Sequence, residues 1–267
     1  MVIARGIDTT FGAWAAVHHR WSSLPGRIGL SADMSAGWDR FIELDANRDL
    51  PTFLTDVVEI EPAVLATFTR AHHFAAMHGI VSDRVVDGQV HDEELLVARA
   101  ALLKEWLGAL AAGVGGMSRA REFVGATLVD WKRGIDLERQ LIASRSTDWS
   151  SYASSVGLRL RWVSATSRAM LVTHGASAAA HALENTYDRF MLALQIMDDH
   201  VDRAEDEEHR GSSFACIREL TSGPRGLAGL LIADASASAA RGGLSRLGTW
   251  LREFSCMLLQ TTGVGRA

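Results

Sequence analysis

Asp198, Asp202 and Asp206 recur every four residues within the stretch 195–208, Gln-Ile-Met-Asp-Asp-His-Val-Asp-Arg-Ala-Glu-Asp-Glu-Glu. The apolar run Phe190 to Leu194 leads into it with no Gly or Pro to end a helix, so the carboxylates belong on a continuing helix. On a helix, i, i+4 and i+8 fall on nearly one stripe, and three carboxylates then share a face. Like charges at that spacing repel by about 0.2–0.5 kcal/mol per pair, so a cation is expected to compensate them. Hard cations such as Mg2+ take oxygen ligands, keep several waters and borrow further ligands from substrate phosphates. The competing reading is a solvated acidic face at a helix end.

A second acidic site bears on that choice. Asp83 and Asp87, in Ser82-Asp83-Arg84-Val85-Val86-Asp87-Gly88, are again i and i+4, while Val85 and Val86 turn elsewhere. One Asp-x-x-x-Asp is ordinary surface decoration, but two, each ending an apolar helix, make a sharper signal. If the two helices face each other across a cavity, their carboxylates meet at one mouth of a bundle, a common way for bundles to build metal sites.

The elements that would position these groups are helices. Only four prolines occur, at 25, 51, 62 and 224, leaving Leu65 to Gly223 without the strongest helix breaker. Period-two runs of Val, Ile and Thr are missing while Ala, Leu, Arg and Glu abound, which predicts an all-α chain. Short helices are expected around Trp14 and Trp21 and over Ser35 to Ala46. The first long helix is expected from about Glu61 to Val86, ending at Gly88, and the next reaches from His91 to about Ala112. Ser118 reads as an N-cap of a helix to about Ala143. Asp148 reads as the cap of one running to His174 with a bend at Gly157. After the acidic helix come a loop over Arg210 to Ser213, helices near 214–220, 227–240 and 244–260, and a frayed tail.

The 267 residues suit one large domain or two small ones and are read as a single domain, 1–267. A net charge of −5 with no basic block argues against a nucleic-acid partner. There is no run of transmembrane length and no leader-like N-terminus, so the default compartment is the cytoplasm. Cys216 and Cys256 lack metal-ligand spacing and read as reduced core residues. His72, His73 and His78 lack carboxylate partners at ligand spacing and read as packing or solvent-facing residues.

The segment Met77 to Gly88, with Asp83 and Asp87, resembles the first aspartate-rich motif of class I isoprenoid synthases. Gln195 to Asp202 resembles their second motif, including the glutamine three residues ahead of the acids. Order and separation fit, and the similarity is clearest over 65–215. The Asp-x-x-x-Asp spacing is similar to that of squalene and phytoene synthases, Asp198-Asp199-x-x-Asp202 to chain-elongating polyprenyl synthases, and the 198/202/206 ladder to terpene cyclases. Three features depart from the chain-elongating enzymes. Arg84 stands where they carry a second aspartate, Gln89-Val90-His91-Asp92 where they carry paired arginines, and no Gly-Gly-Lys lies near the N-terminus. Those basic groups hold a second diphosphate, so addition of isopentenyl units is disfavoured. Only two tyrosines and no Arg-Gly-Arg after the second motif place head-to-head condensation below cyclisation.

The resemblance implies a single-domain class I terpenoid synthase bundle around a central apolar cavity. It implies Mg2+, up to three ions, held by Asp83, Asp87, Asp198, Asp199, Asp202 and Asp206, with a prenyl diphosphate as substrate. Asp83, Asp87, Asp198 and Asp202 would carry catalysis by triggering ionisation. Arg161, Arg168, Arg203, Arg210 and Gln195 are candidates for the diphosphate, because guanidinium offers paired donors to phosphate oxygens, and Arg159 ranks behind them. Phe68, Phe74, Trp131, Trp162 and Phe190 are candidates for the cavity wall, where aromatic faces stabilise a cation; core packing is the alternative for each. Cyclisation or rearrangement of one prenyl diphosphate is preferred. The rivals are prenyl coupling of the squalene/phytoene kind and a non-catalytic binding protein of this fold. A carboxylate-bridged di-iron bundle needs Glu-x-x-His on facing helices, which does not occur. A homodimer is compatible with the fold, although no stripe on the chain specifies one.

Overall fold

A computed structural model describes residues 47–86, 93–201 and 223–261. Among these residues every regular element is an α-helix: α1 (Leu50–Phe53), α2 (Pro62–Val86), α3 (Glu93–Val114), α4 (Met117–Ser144), α5 (Trp149–Arg159), α6 (Trp162–Thr173), α7 (Ser177–Val201), α8 (Gly223–Arg241) and α9 (Ser245–Thr261). The expected all-α class is the observed one. The helices expected before residue 47 and over 214–220, the stop at Gly88, the loop 210–213, the tail beyond α9 and Cys216 lie outside the described residues. These residues fall into two compact units, one from residues 47–52 and 60–121, the other from 53–59 and 122–261.

In the first unit α2 packs on α3. Pro62 opens α2, where its missing N–H costs no hydrogen bond, and the helix is buried on all sides from Ala71 to Gly79. Leu95, Ala98, Leu102, Trp106, Leu110 and Val114 recur at three- and four-residue spacing and form the buried stripe of α3. Gly113 lets the Phe68 ring lie on the helix backbone, since a Cβ there would sit 2.9 Å from a ring carbon. Gly115 and Gly116, at φ +85° and +139°, end α3, and the Gly116 N–H donates to the Ala111 carbonyl at 2.8 Å. This places the start of α4 at Met117, so Ser118 lies in the first turn instead of capping it.

In the second unit α7 packs on α5, α6 and α8, and α8 packs on α9. Its buried positions, among them Leu183, Thr186, Tyr187, Phe190, Ala193, Ile196 and Asp199, trace one helical stripe. Asp148 caps α5, accepting from the Ser150 and Ser151 N–H groups. The expected single helix from Asp148 to His174 is two helices, and the break falls at Leu160 and Arg161 while Gly157 lies inside α5. Gly157 faces α7, where a Cβ would meet the Asp188 side chain at the ordinary contact distance of 3.4 Å. At the break the hydrogen bonds tighten to three-residue steps, Val163 to Leu160 and Ser164 to Arg161. Asp56 accepts the Arg246 N–H at 3.0 Å and satisfies the start of α9. Cys256, expected in the core, is an exposed free thiol, because the buried stripe of Leu247 and Leu251 leaves position 256 on the other face.

Candidate functional site

The end of α7 separates two neighbouring aspartates. Asp199 continues the buried stripe that runs through Leu192 and Ile196 and is 5% exposed, whereas Asp198 faces solvent. Consecutive helical residues point about 100° apart, so with Asp199 on the buried stripe the neighbouring Asp198 lies to the side of it. Asp199 is met from inside by donors: its Oδ2 accepts from the Tyr152 hydroxyl at 2.8 Å and its Oδ1 from Gln195 Nε2 at 2.6 Å. Gln195 Oε1 accepts from Arg159 Nη2 at 2.8 Å, and Arg159 Nη1 straddles both Glu138 oxygens at 2.9 and 2.8 Å. Burial, followed by the charge and hydrogen bond of Asp199, pushes the Tyr152 hydroxyl far above its ordinary pKa, so it remains a donor. Gln195 Nε2 also reaches Asp198 Oδ2, at the longer distance of 3.4 Å.

Arg161 and Arg168 are engaged with acids of their own unit. Arg161 donates to Asp130 at 2.8 Å and lies 3.6 Å from Asp188, and Arg168 lies 2.7 Å from Glu184. Partial burial works against the Arg161 charge, but Asp130, Asp188 and Glu184 outweigh it and raise its pKa. Asp188 is raised by burial, against the pull of Arg161. Any phosphate reaching these guanidinium groups must share or displace a carboxylate. Arg203 and Arg210 lie outside the described residues.

Asp83 sits half-buried in the last turn of α2. On α3, Arg99 feels its charge: burial lowers the arginine's pKa and Asp83 opposes the fall. Burial also pushes His78 down to about 4, with Arg99 adding to the effect. The site thus contains an arginine that spacing along the sequence did not point to. Asp87, Asp202 and Asp206 lie outside the described residues, and among those described no three His, Cys, Asp or Glu side chains gather as a metal site needs.

Asp83 and Asp198 carry hard oxygen donors of the kind Mg2+ takes, and in chemistry they fit that ion. Asp199 fits it poorly, since both its oxygens are occupied inside the protein.

The five nominated aromatic residues divide between the units. Phe68 and Phe74, both fully buried, belong to the first, where Phe68 covers Gly113 and the Arg70 guanidinium stands 5.6 Å over Phe74. Trp131, Trp162 and Phe190 belong to the second; Trp131 is half-buried and Trp162 buried. Phe190 is boxed by Tyr187, Trp250 and Phe254, with ring centres 5.4–5.8 Å away. A groove of about 370 Å³ in the second unit is lined by Phe53, Arg246, Trp250 and Glu253 and includes none of the five. No helix among the described residues is long and apolar enough to cross a membrane. Neither Tyr152 nor Glu138 carries a local sequence signal, since each meets its partner over a long separation. The inward turn of Asp199 does carry one, because it continues the apolar stripe of α7.

No protein-family model, curated protein or solved structure matches the chain.

Proposed function

We propose that the protein is a Mg2+-dependent synthase of the class I terpenoid type that ionises one linear prenyl diphosphate, cyclises or rearranges the hydrocarbon and releases diphosphate. One observation carries this reading. α2 and α7, each with a buried body, both bear the first acid of an Asp-x-x-x-Asp pair, Asp83 and Asp198. Carboxylates at i and i+4 of a helix repel by about 0.2–0.5 kcal/mol per pair unless a cation compensates them. An acidic pair on each of two largely buried helices supports a cationic ligand for these carboxylates.

In this reading Asp83 and Asp198, with Asp87, Asp202 and Asp206 of the same motifs, would hold the ions. Bound Mg2+ supplies Lewis-acid neutralisation of the diphosphate leaving group. The protein's own part is to orient and shield. Gln195 is held at a fixed angle beside Asp198, and Arg161, Arg168, Arg203 and Arg210 are the proposed clamp on phosphate oxygens. Phe68, Phe74, Trp131, Trp162 and Phe190 are the proposed apolar wall that keeps water from the reacting hydrocarbon.

Arg99 beside Asp83 favours a second reading, in which the first acidic pair is neutralised by protein and the fold binds a diphosphate without turning it over.

Purified protein supplied with Mg2+ and farnesyl or geranylgeranyl diphosphate, with products read by gas chromatography, tests both readings. The expected product is a hydrocarbon or alcohol built from one substrate; a product built from two would indicate coupling. Asp83→Ala and Asp198→Ala should each reduce product by about a hundredfold or more, the scale of losing one electrostatic group at a reacting centre, without lowering the unfolding midpoint. Full activity in both variants would reject the metal assignment. Saturable binding of a prenyl diphosphate with no turnover would select the second reading.

A further inference from the structure

We infer that Asp199 is a positioning residue and not a metal ligand: with Tyr152, Gln195, Arg159 and Glu138 it fixes the rotation of the end of α7 that turns Asp198 outward. The five side chains come from three helices, Glu138 on α4, Tyr152 and Arg159 on α5, Gln195 and Asp199 on α7. Their hydrogen bonds run without conflict. Arg159 can only donate and an ionised carboxylate can only accept, so the Gln195 amide has a single orientation that serves both, oxygen to Arg159 and nitrogen to Asp199. Tyr152, 1% exposed, closes the chain from the inner side.

A hydrated Mg2+ keeps several waters, and a carboxylate 5% exposed between a tyrosine and a glutamine leaves no room for them. The half-buried Arg159–Glu138 pair anchors the network on α4 and α5, where Gly134 lets the two helices touch backbone to backbone. The anchor is therefore rigid, and pinning Asp199 to it pins Asp198 through the fixed step between neighbouring helical residues.

That Asp198 serves a cation rests on the function proposed above, whereas the network does not. The test uses the full-length protein and two readouts, hydrogen exchange along α7 and Mn2+ binding by electron paramagnetic resonance. Tyr152→Phe should speed exchange in residues 195–201 and leave 183–190 protected. Leu183→Val, a core change on the same helix, should not act selectively on 195–201. Tyr152→Phe should also weaken Mn2+ binding several-fold at unchanged stoichiometry, while Leu183→Val leaves it as in wild type. Asp198→Asn should reduce the number of ions bound, and Asp199→Asn should weaken their binding without reducing the number. Unchanged exchange at 195–201 in Tyr152→Phe, or loss of bound ions in Asp199→Asn matching that in Asp198→Asn, overturns the inference. If wild type binds no Mn2+, the proposed metal chemistry fails, and the exchange measurement alone decides whether the network pins the helix end.

Discussion

His72 and His73 meet consecutive backbone carbonyls, those of Asn47 and Arg48, through their Nε2 atoms at 2.8 and 3.1 Å. A carbonyl only accepts, so the proton of neutral His72 resides on Nε2, and its buried Nδ1 has no hydrogen-bond partner among the described residues. Protonating Nδ1 would place a charge where nothing accepts it. Burial accordingly holds His72 down to about 4, against the opposing influence of the Asn47 carbonyl and Asp49. His78 is held at about 4 as well. A histidine depressed in the folded state binds its proton more readily once unfolded, so stability is intact above about pH 6.5 and falls as the pH drops toward 4. Each of the two histidines contributes at most about 3 kcal/mol to that fall. Urea unfolding from pH 8 to 4 should show the decline, and His72→Gln should make it shallower; an equal slope in the variant would mean His72 is not the titrating group. The sequence offered packing or solvent exposure for these histidines, and it is the contact between chain segments far apart in sequence that settles burial.

At the scale of elements, glycines separate close contacts from open helix. Gly134 on α4 faces α5 so closely that a Cβ would lie 2.5 Å from the Arg159 backbone nitrogen and 2.8 Å from the Ser155 carbonyl oxygen. Gly125, on the same helix, has nothing within 4 Å. Alanine is preferred to glycine within a helix by about 0.8–1 kcal/mol, so Gly125→Ala should stabilise the protein by about that amount. Gly134→Ala should reverse the sign and cost about 1–3 kcal/mol, the usual range for overpacking against backbone that cannot move aside. Chemical denaturation of the two variants checks the contrast, and equal effects would show that α4 and α5 are not in contact at Gly134. Helix identity was legible in the sequence, through apolar spacing and the Asp148 cap. The bend expected at Gly157 was misplaced, because the helix runs through Gly157 and the chain breaks at Leu160 and Arg161 instead.

At the scale of the molecule, α7 is the element on which the second unit is assembled, since α5, α6 and α8 all pack against it. Phe190 lies at the centre of that packing, fully buried and in contact with three aromatic rings. Phe190→Ala should cost about 3–5 kcal/mol, the range for emptying an aromatic site in a core. Tryptophan fluorescence during denaturation should register the loss, because Trp250 touches the same ring. A cost below about 1 kcal/mol would mean the site collapses or is filled from solvent, as a ligand cavity wall would allow.

The sequence by itself determined the helical class, the approximate spans of the long helices and the two acidic spacings, because these rest on local periodicity and on the near absence of breakers. It also contained the inward direction of Asp199, written in the apolar stripe of α7. Tertiary structure alone decided that Tyr152 and Gln195 meet that carboxylate, that Arg161 and Arg168 are paired with acids, and that Arg99 attends Asp83. Those partners are brought together by helices packing side by side, and a pattern that repeats within one helix carries no record of which residue the neighbouring helix presents.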